Sequence, residues 1–322
     1  MNIIGSVPRI EAPSLATFRN EFALPNKPVI ICGATDGWKA LFKWTREYLE
    51  SAIGSTTVQV LDSSNHIHPE LMSDNPMQIR YQSLEFTDYT SLIWSDDPAR
   101  KTKYLVGNEG GRILGRHAKK VPASPFASLA EDFELPGCVD SENLNGCGFS
   151  LSSDGILTRL HYDYSHNLNV QVVGRKRFLL FSDRQYIHPF LGTRLGDGPP
   201  SFSQIDIENP DLDRFPEFRG VECQEAVLEE GEMLFIPGFW PHAVYHLGRI
   251  NINIHFFWQP DEHALSKMSF HLWFLRLFVR TATNGKTPLQ ESDVAAAMQG
   301  LNPETLAFLQ NMERGICELR GI

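Results

Sequence analysis

The residues best placed to do chemistry are His161 and Asp163, which stand two positions apart within Thr158–Asp163. Side chains two residues apart on an extended strand point to the same face of that strand. The imidazole and the carboxylate could therefore bind one metal ion together, with Tyr162 turned away from it. Because a His-x-Asp pair is a weak signal alone, its meaning depends on the residues around it.

A third metal ligand is needed, and His242 is the best candidate, because it follows Pro241 at the start of a predicted strand. Two imidazoles and one carboxylate on one side of an ion leave its opposite face open. This arrangement suits Fe(II) that activates dioxygen, since other ligands need the free positions. Four further histidines remain rivals for the third position: His166, His188, His246 and His255.

The elements that would position these side chains are almost purely β between residues 148 and 260. Polar and apolar residues alternate over Asn167–Val172, so this predicted strand has one polar face. A tight turn is predicted at Gly174-Arg175, and Lys176 opens the strand that follows it.

A second strand with a polar face closes this region at Ile250–Trp258, where Asn251, Asn253 and His255 share one side. Short antiparallel strands with turns between them are typical of sandwiches and barrels. Two polar faces can line the lumen of a barrel, as in jelly rolls of the cupin type. The pattern alone therefore predicts a mainly β, double-layered fold, and a double-stranded β-helix core, that is, a cupin-like jelly roll, is the form of it that would supply such a lumen.

This core is predicted to carry an α/β elaboration before it and helices after it. Residues 1–147 indicate a mixed α/β region that wraps the core, with Thr45 as a helix N-cap and helical spacing over Ser83–Trp94. Residues 148–260 form the predicted core itself. Residues 261–322 predict helices that could pack on the barrel or on a second copy of the chain, so a homodimer through them is an open alternative.

Composition and charge exclude some classes of protein. Among the 322 residues, 39 acidic side chains outnumber 29 basic ones, which gives a net charge of -10. No dense Lys/Arg cluster is visible, so a nucleic-acid partner is not expected. No apolar run approaches the roughly 18 residues of a membrane span, and Met1–Arg9 lacks the features of a signal peptide. We therefore expect a cytoplasmic protein with no membrane association.

Taken together, these residues resemble the JmjC-type, cupin-fold 2-oxoglutarate oxygenases. The resemblance is greatest to the asparaginyl hydroxylase that inhibits hypoxia-inducible factor and its bacterial relatives. It covers residues 150–260 closely and the N-terminal part more loosely. The motifs that carry it are Thr158-x-x-His161-x-Asp163, Asn167, Gln171-Val-Val-Gly-Arg-Lys176-Arg, Phe181, Asp206–Pro216, Gly231–Pro237, Trp240-x-His242 and the closing strand.

The resemblance implies that His161, Asp163 and His242 bind Fe(II), with 2-oxoglutarate as cosubstrate and O2 as oxidant. Lys176 matches the family lysine that forms a salt bridge with the distal carboxylate of 2-oxoglutarate. This fits physically, because a lysine in a dry lumen needs an anionic partner. The alternative is a lysine on the surface of a hairpin.

Further cofactor-binding residues are implied by the resemblance alone. Thr158 and Tyr104 match positions that hydrogen-bond the same carboxylate, and Asn167 matches a residue near the proximal one. Strand parity would place Thr158 opposite His161, so its role has no support from the pattern. His255 departs from the family, which commonly has asparagine there, although imidazole can still donate a hydrogen bond to the cosubstrate.

The predicted activity is hydroxylation of an unactivated C–H bond, in an amino-acid side chain of a protein or peptide. The alternatives are hydroxylation of a free amino acid or small metabolite, and a non-catalytic cupin that binds a metal. A nucleic-acid-modifying oxygenase is a further alternative, which the acidic charge balance disfavours. The rim of the pocket is predicted to come from residues 109–147 and 183–220, whose sequence does not name a substrate.

Overall fold

The computed structural model describes residues 1–62, 81–106, 112–114, 124–163, 165–182, 203 and 205–258. The strands of these residues, in chain order, are β1 (Asn2–Ser6), β2 (Arg9–Glu11), β3 (Val29–Cys32), β4 (Thr57–Asp62), β5 (Tyr81–Glu85), β6 (Lys103–Leu105), β7 (Arg112–Leu114), β8 (Leu144–Ser153), β9 (Leu157–His161), β10 (His166–Val173), β11 (Lys176–Leu180), β12 (Glu222–Leu228), β13 (Met233–Ile236), β14 (His242–His246) and β15 (Ile250–Trp258). The α-helices are α1 (Leu15–Phe18), α2 (Ala40–Lys43), α3 (Arg46–Ile53) and α4 (Phe86–Trp94). Shorter helical turns lie at Arg19–Ala23, Pro98–Thr102, Pro125–Glu131, Ser141–Asn143 and Pro216–Phe218.

These strands form two sheets. The larger sheet has the order β2-β3-β13-β10-β15-β8-β6-β4-β5, with β7 paired to β8, and the smaller has the order β1-β12-β11-β14-β9. The pairs at the centre of both sheets are antiparallel, and consecutive strands alternate between the sheets from β8 to β11 and again from β12 to β15. This is the predicted mainly β fold with a cupin-like jelly-roll core, and the prediction is confirmed.

The larger sheet separates an apolar layer from a polar interior. On β10, Leu168, Val170 and Val172 are fully buried in the main hydrophobic core, which also contains Trp38 and Trp44. Burial of each such side chain contributes roughly 1.5–3 kcal/mol. The alternate residues of β10 are also buried but polar, so they face the space between the two sheets. The sequence alternation therefore decides which side of the sheet becomes the lumen.

The hairpin between β10 and β11 has the predicted tight turn at Gly174. Its φ is 79°, and a Cβ at this position would lie 2.0 Å from the carbonyl oxygen of Ile250. Only glycine can adopt this conformation at so close an approach. Because the turn is short, Lys176 is the first residue of β11, as predicted.

The elements before the core join it rather than only covering it. Strands β2 to β6 extend the larger sheet on both sides of the core strands. Thr45 is the N-cap of α3, as predicted, because its side chain accepts from the Tyr48 N–H. The helical spacing over Ser83–Trp94 is correct only from Phe86, since Ser83–Glu85 belong to β5 and pair with β4.

Parts of the predicted regions lie outside the described residues. Residues 261–322 and most of 183–220 lie outside the described residues, so the predicted helices and the proposed dimer contact stay predictions. Strand β8 begins at Leu144, so the core sheet includes residues before 148. Among the described residues, no helix has the length and apolarity needed to cross a membrane.

Candidate metal and anion site

The three predicted metal ligands come together between β9 and β14. The ligand atoms of His161, Asp163 and His242 all lie within 4.8 Å of one another. Nε2 of His242 is 4.0 Å from Oδ2 of Asp163, and the centroids of the two imidazole rings are 4.3 Å apart. Strand β9 ends at His161 and β14 begins at His242, and these two residues are register partners. Sheet pairing therefore holds the two histidines opposite each other, and the chain leaving β9 delivers the carboxylate.

Backbone carbonyls orient both histidine rings. Nδ1 of His161 is 2.7 Å from the carbonyl oxygen of Arg159, and Nδ1 of His242 is 2.8 Å from that of Trp240. A carbonyl oxygen only accepts, so each ring carries a proton on Nδ1, and Nε2 is the nitrogen that could bind a metal. Burial, and then the neighbouring His161, lower the pKa of His242 to about 4, which keeps this ring neutral. Two imidazoles and a carboxylate fit a divalent metal such as Fe(II).

Asp163 is itself held from two directions. The side-chain amide of Asn167 donates to Oδ2 of Asp163 at 3.0 Å. The backbone N–H of Phe239 donates to the carbonyl oxygen of Asp163 at 2.8 Å. The predicted cofactor-binding residue Asn167 thus lies beside the metal ligands and orients the carboxylate.

Lys176 places a buried cation deeper in the same lumen. Its side chain is 1% exposed, and Nζ donates to Oδ1 of Asn253 at 2.6 Å. Nζ also lies 5.8 Å from the centroid of the Tyr104 ring. Burial lowers the pKa of Lys176 to about 7, and no carboxylate among the described residues pairs with it. A buried ammonium group with only an amide partner fits an anionic ligand, so the alternative of a surface lysine is wrong.

Hydroxyl groups and an imidazole surround this cation. His246 is the register partner of Lys176 across β11 and β14. Its Nδ1 is 2.6 Å from Oγ of Ser152, its Nε2 is 3.4 Å from Oγ1 of Thr158, and its ring centroid is 5.0 Å from that of Tyr104. Burial raises the pKa of Tyr104 to about 12, so its hydroxyl keeps the proton and can donate it. The Tyr104 ring therefore lies beside Lys176, and Thr158 lies beside His246, the register partner of Lys176.

The strand-parity prediction for Thr158 is wrong. In the pairing of β9 with β14, His161 faces His242 and Thr158 faces Val244, so three steps along β9 match two along β14. This register shift is a β-bulge, and the extra residue turns Thr158 to the same face as His161. The bulge brings its hydroxyl into the lumen.

His255 lies inside the lumen, in a network of polar side chains. Its Nδ1 is 2.9 Å from Nδ2 of Asn169, and its Nε2 is 3.0 Å from Oγ of Ser150 and 2.7 Å from Nδ2 of Asn253. Burial, and then the charge of Lys176, hold the pKa of His255 well below its usual range, so the ring is neutral. Through Asn253 this histidine is linked to the ammonium group of Lys176.

The described rivals for the third ligand position have other partners. Nδ1 of His166 accepts from the backbone N–H of Gly238 at 3.0 Å. His246 and His255 belong to the network around Lys176. Within the described part of the chain, His161, Asp163 and His242 are the group that could hold a metal. His188 lies outside the described residues.

Sequence reasoning did not single out Ser150 and Ser152, which both bond histidines of the lumen. A signal was present, because polar and apolar residues alternate from Gly148 to Ser152 in the same way as in Asn167–Val172. The serines are small and common, so the alternation was not linked to the site.

Comparison with known proteins bears on the family. The family model of the cupin-like domain matches residues 15–264. Lysine-specific demethylase 8 of Xenopus tropicalis is 30% identical over 259 residues, which are 79% of this chain and 53% of that protein. The tRNA wybutosine-synthesizing protein 5 of Danio rerio is 32% identical over 228 residues, 68% of this chain and 65% of that protein. The same-named protein of Homo sapiens is 30% identical over 272 residues, 80% of this chain and 79% of its own length.

The chain therefore spans 53% and 65% of the first two of these relatives. The relatives support the JmjC-type cupin oxygenases as a group, and not a specific likeness to the asparaginyl hydroxylase that inhibits hypoxia-inducible factor. The chain belongs to the cupin-like domain family.

Proposed function

We propose that this chain is an Fe(II)- and 2-oxoglutarate-dependent oxygenase that hydroxylates an unactivated C–H bond. The observation that carries the proposal is one lumen that contains both a His-His-Asp cluster and a buried lysine with no carboxylate partner among the described residues. His161, Asp163 and His242 would hold Fe(II). Lys176 would bind the distal carboxylate of 2-oxoglutarate.

The side chains of this lumen would bind and orient the reactants. When bound, iron and 2-oxoglutarate would supply the activation of O2 that protein side chains cannot supply. The Nδ1 bonds of His161 and His242 would present both Nε2 atoms to the metal ion. Asn167 orients the carboxylate of Asp163. Such fixed geometry lowers the entropy cost of bringing reacting groups together.

At the anion end, Lys176 would form an ion pair with the distal carboxylate. The hydroxyls of Tyr104 and Thr158 would donate hydrogen bonds to it. Asn253 holds Nζ in place by accepting from it at 2.6 Å. The apolar side chains Phe178, Leu180 and Val244 belong to a buried cluster on the inner face of the smaller sheet, and they help to exclude water.

For the substrate, we propose an amino-acid side chain in a protein or peptide, and the asparaginyl hydroxylase resemblance names one such class. The name of lysine-specific demethylase 8 also points to an amino-acid side chain. The second candidate is a tRNA base, which is favoured by the relatives named for tRNA wybutosine synthesis. The net charge of -10 favours the first candidate, because phosphate backbones require basic surfaces. A free amino acid or a small metabolite is a further alternative substrate, for which the hydroxylation reaction would be the same.

The complete set of ligands argues against a non-catalytic cupin module, since a module that only binds a metal has no need of Lys176. The test is production of succinate from 2-oxoglutarate by the purified protein with Fe(II) and O2. We expect His161→Ala and Asp163→Ala to lower the rate at least about 100-fold, because each removes a metal ligand. Wild-type protein that binds Fe(II) but neither binds 2-oxoglutarate nor forms succinate would contradict the proposal.

The substrate can be identified by trapping. Protein loaded with Zn(II) in place of iron would hold a substrate without turning it over, and peptides and RNAs that co-purify would then be offered to the iron-loaded enzyme. A peptide that gains the mass of one oxygen supports the first candidate. Retention of tRNA that falls steeply with added salt, followed by oxidation of a base, would support the second.

A further inference from the structure

The turn that delivers His242 to the metal site has an unusual backbone. The Trp240 N–H donates to the carbonyl oxygen of Pro237 at 3.3 Å, which closes a four-residue turn. Phe239 is the third residue of this turn, with a φ of 65°. Glycine or asparagine normally takes such a position, because a Cβ crowds the left-handed backbone. A phenylalanine there persists only when its surroundings hold it.

Two hydrogen bonds fasten this turn to the chain that carries the other two ligands. The Phe239 N–H donates to the carbonyl oxygen of Asp163 at 2.8 Å. The Gly238 N–H donates to Nδ1 of His166 at 3.0 Å. His166 is the first residue of β10 and comes three residues after Asp163. The turn is thus anchored at two adjacent backbone N–H groups by the segment that follows His161.

The anchor at His166 is rigid. Its side chain is buried, with its ring centroid 5.2 Å from that of Phe235 and 5.5 Å from that of Trp258. Because Nδ1 accepts from a backbone N–H, the ring carries its proton on Nε2. His166 is therefore in the opposite tautomer to the two ligand histidines, His161 and His242, which donate through Nδ1.

We propose that His166 is a positioning residue for the metal site. By accepting from Gly238 it fixes the turn that precedes His242, and this sets the distance of His242 from the other two ligands. The inference rests on the metal site of the proposed function. Groups that orient metal ligands typically change metal affinity about 10- to 100-fold when they are removed.

A matched pair of variants separates the hydrogen bond from the packing. In His166→Asn, the side-chain oxygen can take the place of Nδ1 and accept from Gly238, whereas His166→Leu fills the space without an acceptor. Each purified protein is titrated with Co(II), and the visible absorption of the bound ion reports affinity and coordination geometry. We expect His166→Leu to lose about 10-fold or more in affinity with an altered spectrum, and His166→Asn to stay within about 3-fold of wild type.

A second variant removes the same bond from the donor side. Gly238→Pro lacks the N–H at the second position of the turn, and its ring carbon would also crowd Nδ1 of His166, which lies 3.0 Å from the Gly238 nitrogen. It should therefore weaken Co(II) binding at least as much as His166→Leu does. Thermal unfolding of the metal-free proteins shows which variants are folded, and the comparison is made among those.

Each outcome decides the question. Wild-type Co(II) affinity and spectrum in folded His166→Leu or Gly238→Pro would overturn the inference. Equal losses of Co(II) affinity in His166→Asn and His166→Leu would also overturn the inference, because the lost packing against Phe235 and Trp258 would then be the cause. Wild-type protein that binds no Co(II) would overturn the metal site itself, which is a failure of the proposed function.

Discussion

At the level of single residues, Lys176 gives the clearest indication that the ligand is an anion. Burial lowers its pKa from 10.5 to about 7, so the ammonium form of the free protein is lost as the pH rises through about 7. Only this form attracts a dicarboxylate. We therefore expect the Kd for 2-oxoglutarate to rise towards about tenfold per pH unit above pH 7 and to be constant well below it. Calorimetric titrations of the Mn(II)-loaded protein from about pH 6 to about pH 9 would measure this.

The lumen histidines do not share this titration, because the pKa values of His246 and His255 are held well below the usual range by burial and by Lys176. Lys176→Arg is the control, since its guanidinium stays charged at every pH used. Its affinity should be lower, because the larger group fits less well, but independent of pH. The same pH dependence in the arginine variant would show that another group titrates.

His255 illustrates how a residue can depart from a family pattern without changing the charge of a site. The ring is neutral and contacts partners through both nitrogens, with Asn169 on one side and Ser150 on the other. An asparagine also has two polar ends, but it is shorter. The imidazole therefore lies along the inner face of the larger sheet, where it joins β10 and β8 on the two sides of β15, and it occupies more of the lumen than the family asparagine would. This difference bears on which substrate or cosubstrate pose fits.

At the level of elements, the β10–β11 hairpin carries Lys176 into the lumen and depends on Gly174. A Cβ there would lie 2.0 Å from the carbonyl oxygen of Ile250, in addition to the cost of a φ of 79°. We expect Gly174→Ala to destabilise the protein by about 2–4 kcal/mol and to weaken 2-oxoglutarate binding, because the hairpin must shift. Chemical denaturation and calorimetric titration would measure the two effects.

Gly220→Ala is the matched control for this prediction. Gly220 has a similar φ of 80°, but no heavy atom lies within 4 Å of a Cβ placed there. Gly220→Ala should destabilise the protein by only about 1 kcal/mol, which is the cost of the left-handed conformation, and it should bind the cosubstrate normally. Equal destabilisation in the two variants would mean that the close approach to Ile250 is relieved without cost.

The elements also show what sequence patterns can and cannot predict. The closing strand Ile250–Trp258 has its predicted bounds, because strict alternation between two buried faces leaves no other register. The predicted face of Thr158 was wrong, because the two-residue period of a regular strand cannot reveal the extra residue of a bulge. The positive φ of Phe239 was equally hidden, since it depends on hydrogen bonds to Asp163 and to its own turn. The local sequence pattern predicts strands well, but it does not predict bulges or unusual backbone angles that tertiary contacts impose.

For the whole molecule, the N-terminal region is part of the same folding unit as the jelly roll. Strand β3 pairs with β13, and β6 pairs with β8, so both extend the core sheet. Trp38, Trp44 and Leu49 share one hydrophobic core with the apolar faces of β10 and β15. Without residues 1–147, this face of the sheet would be exposed to water.

We therefore expect a fragment of residues 148–322 not to fold, because it lacks both the covering aromatic side chains and the first four residues of β8. Deletion of residues 1–6 is the control, since every residue of β1 is exposed at the edge of the smaller sheet. This shorter deletion should lower the Tm by only a few degrees and keep Co(II) binding. Circular dichroism and cooperative thermal unfolding would compare the two, and a cooperatively folded 148–322 fragment would show that the jelly roll is an independent domain.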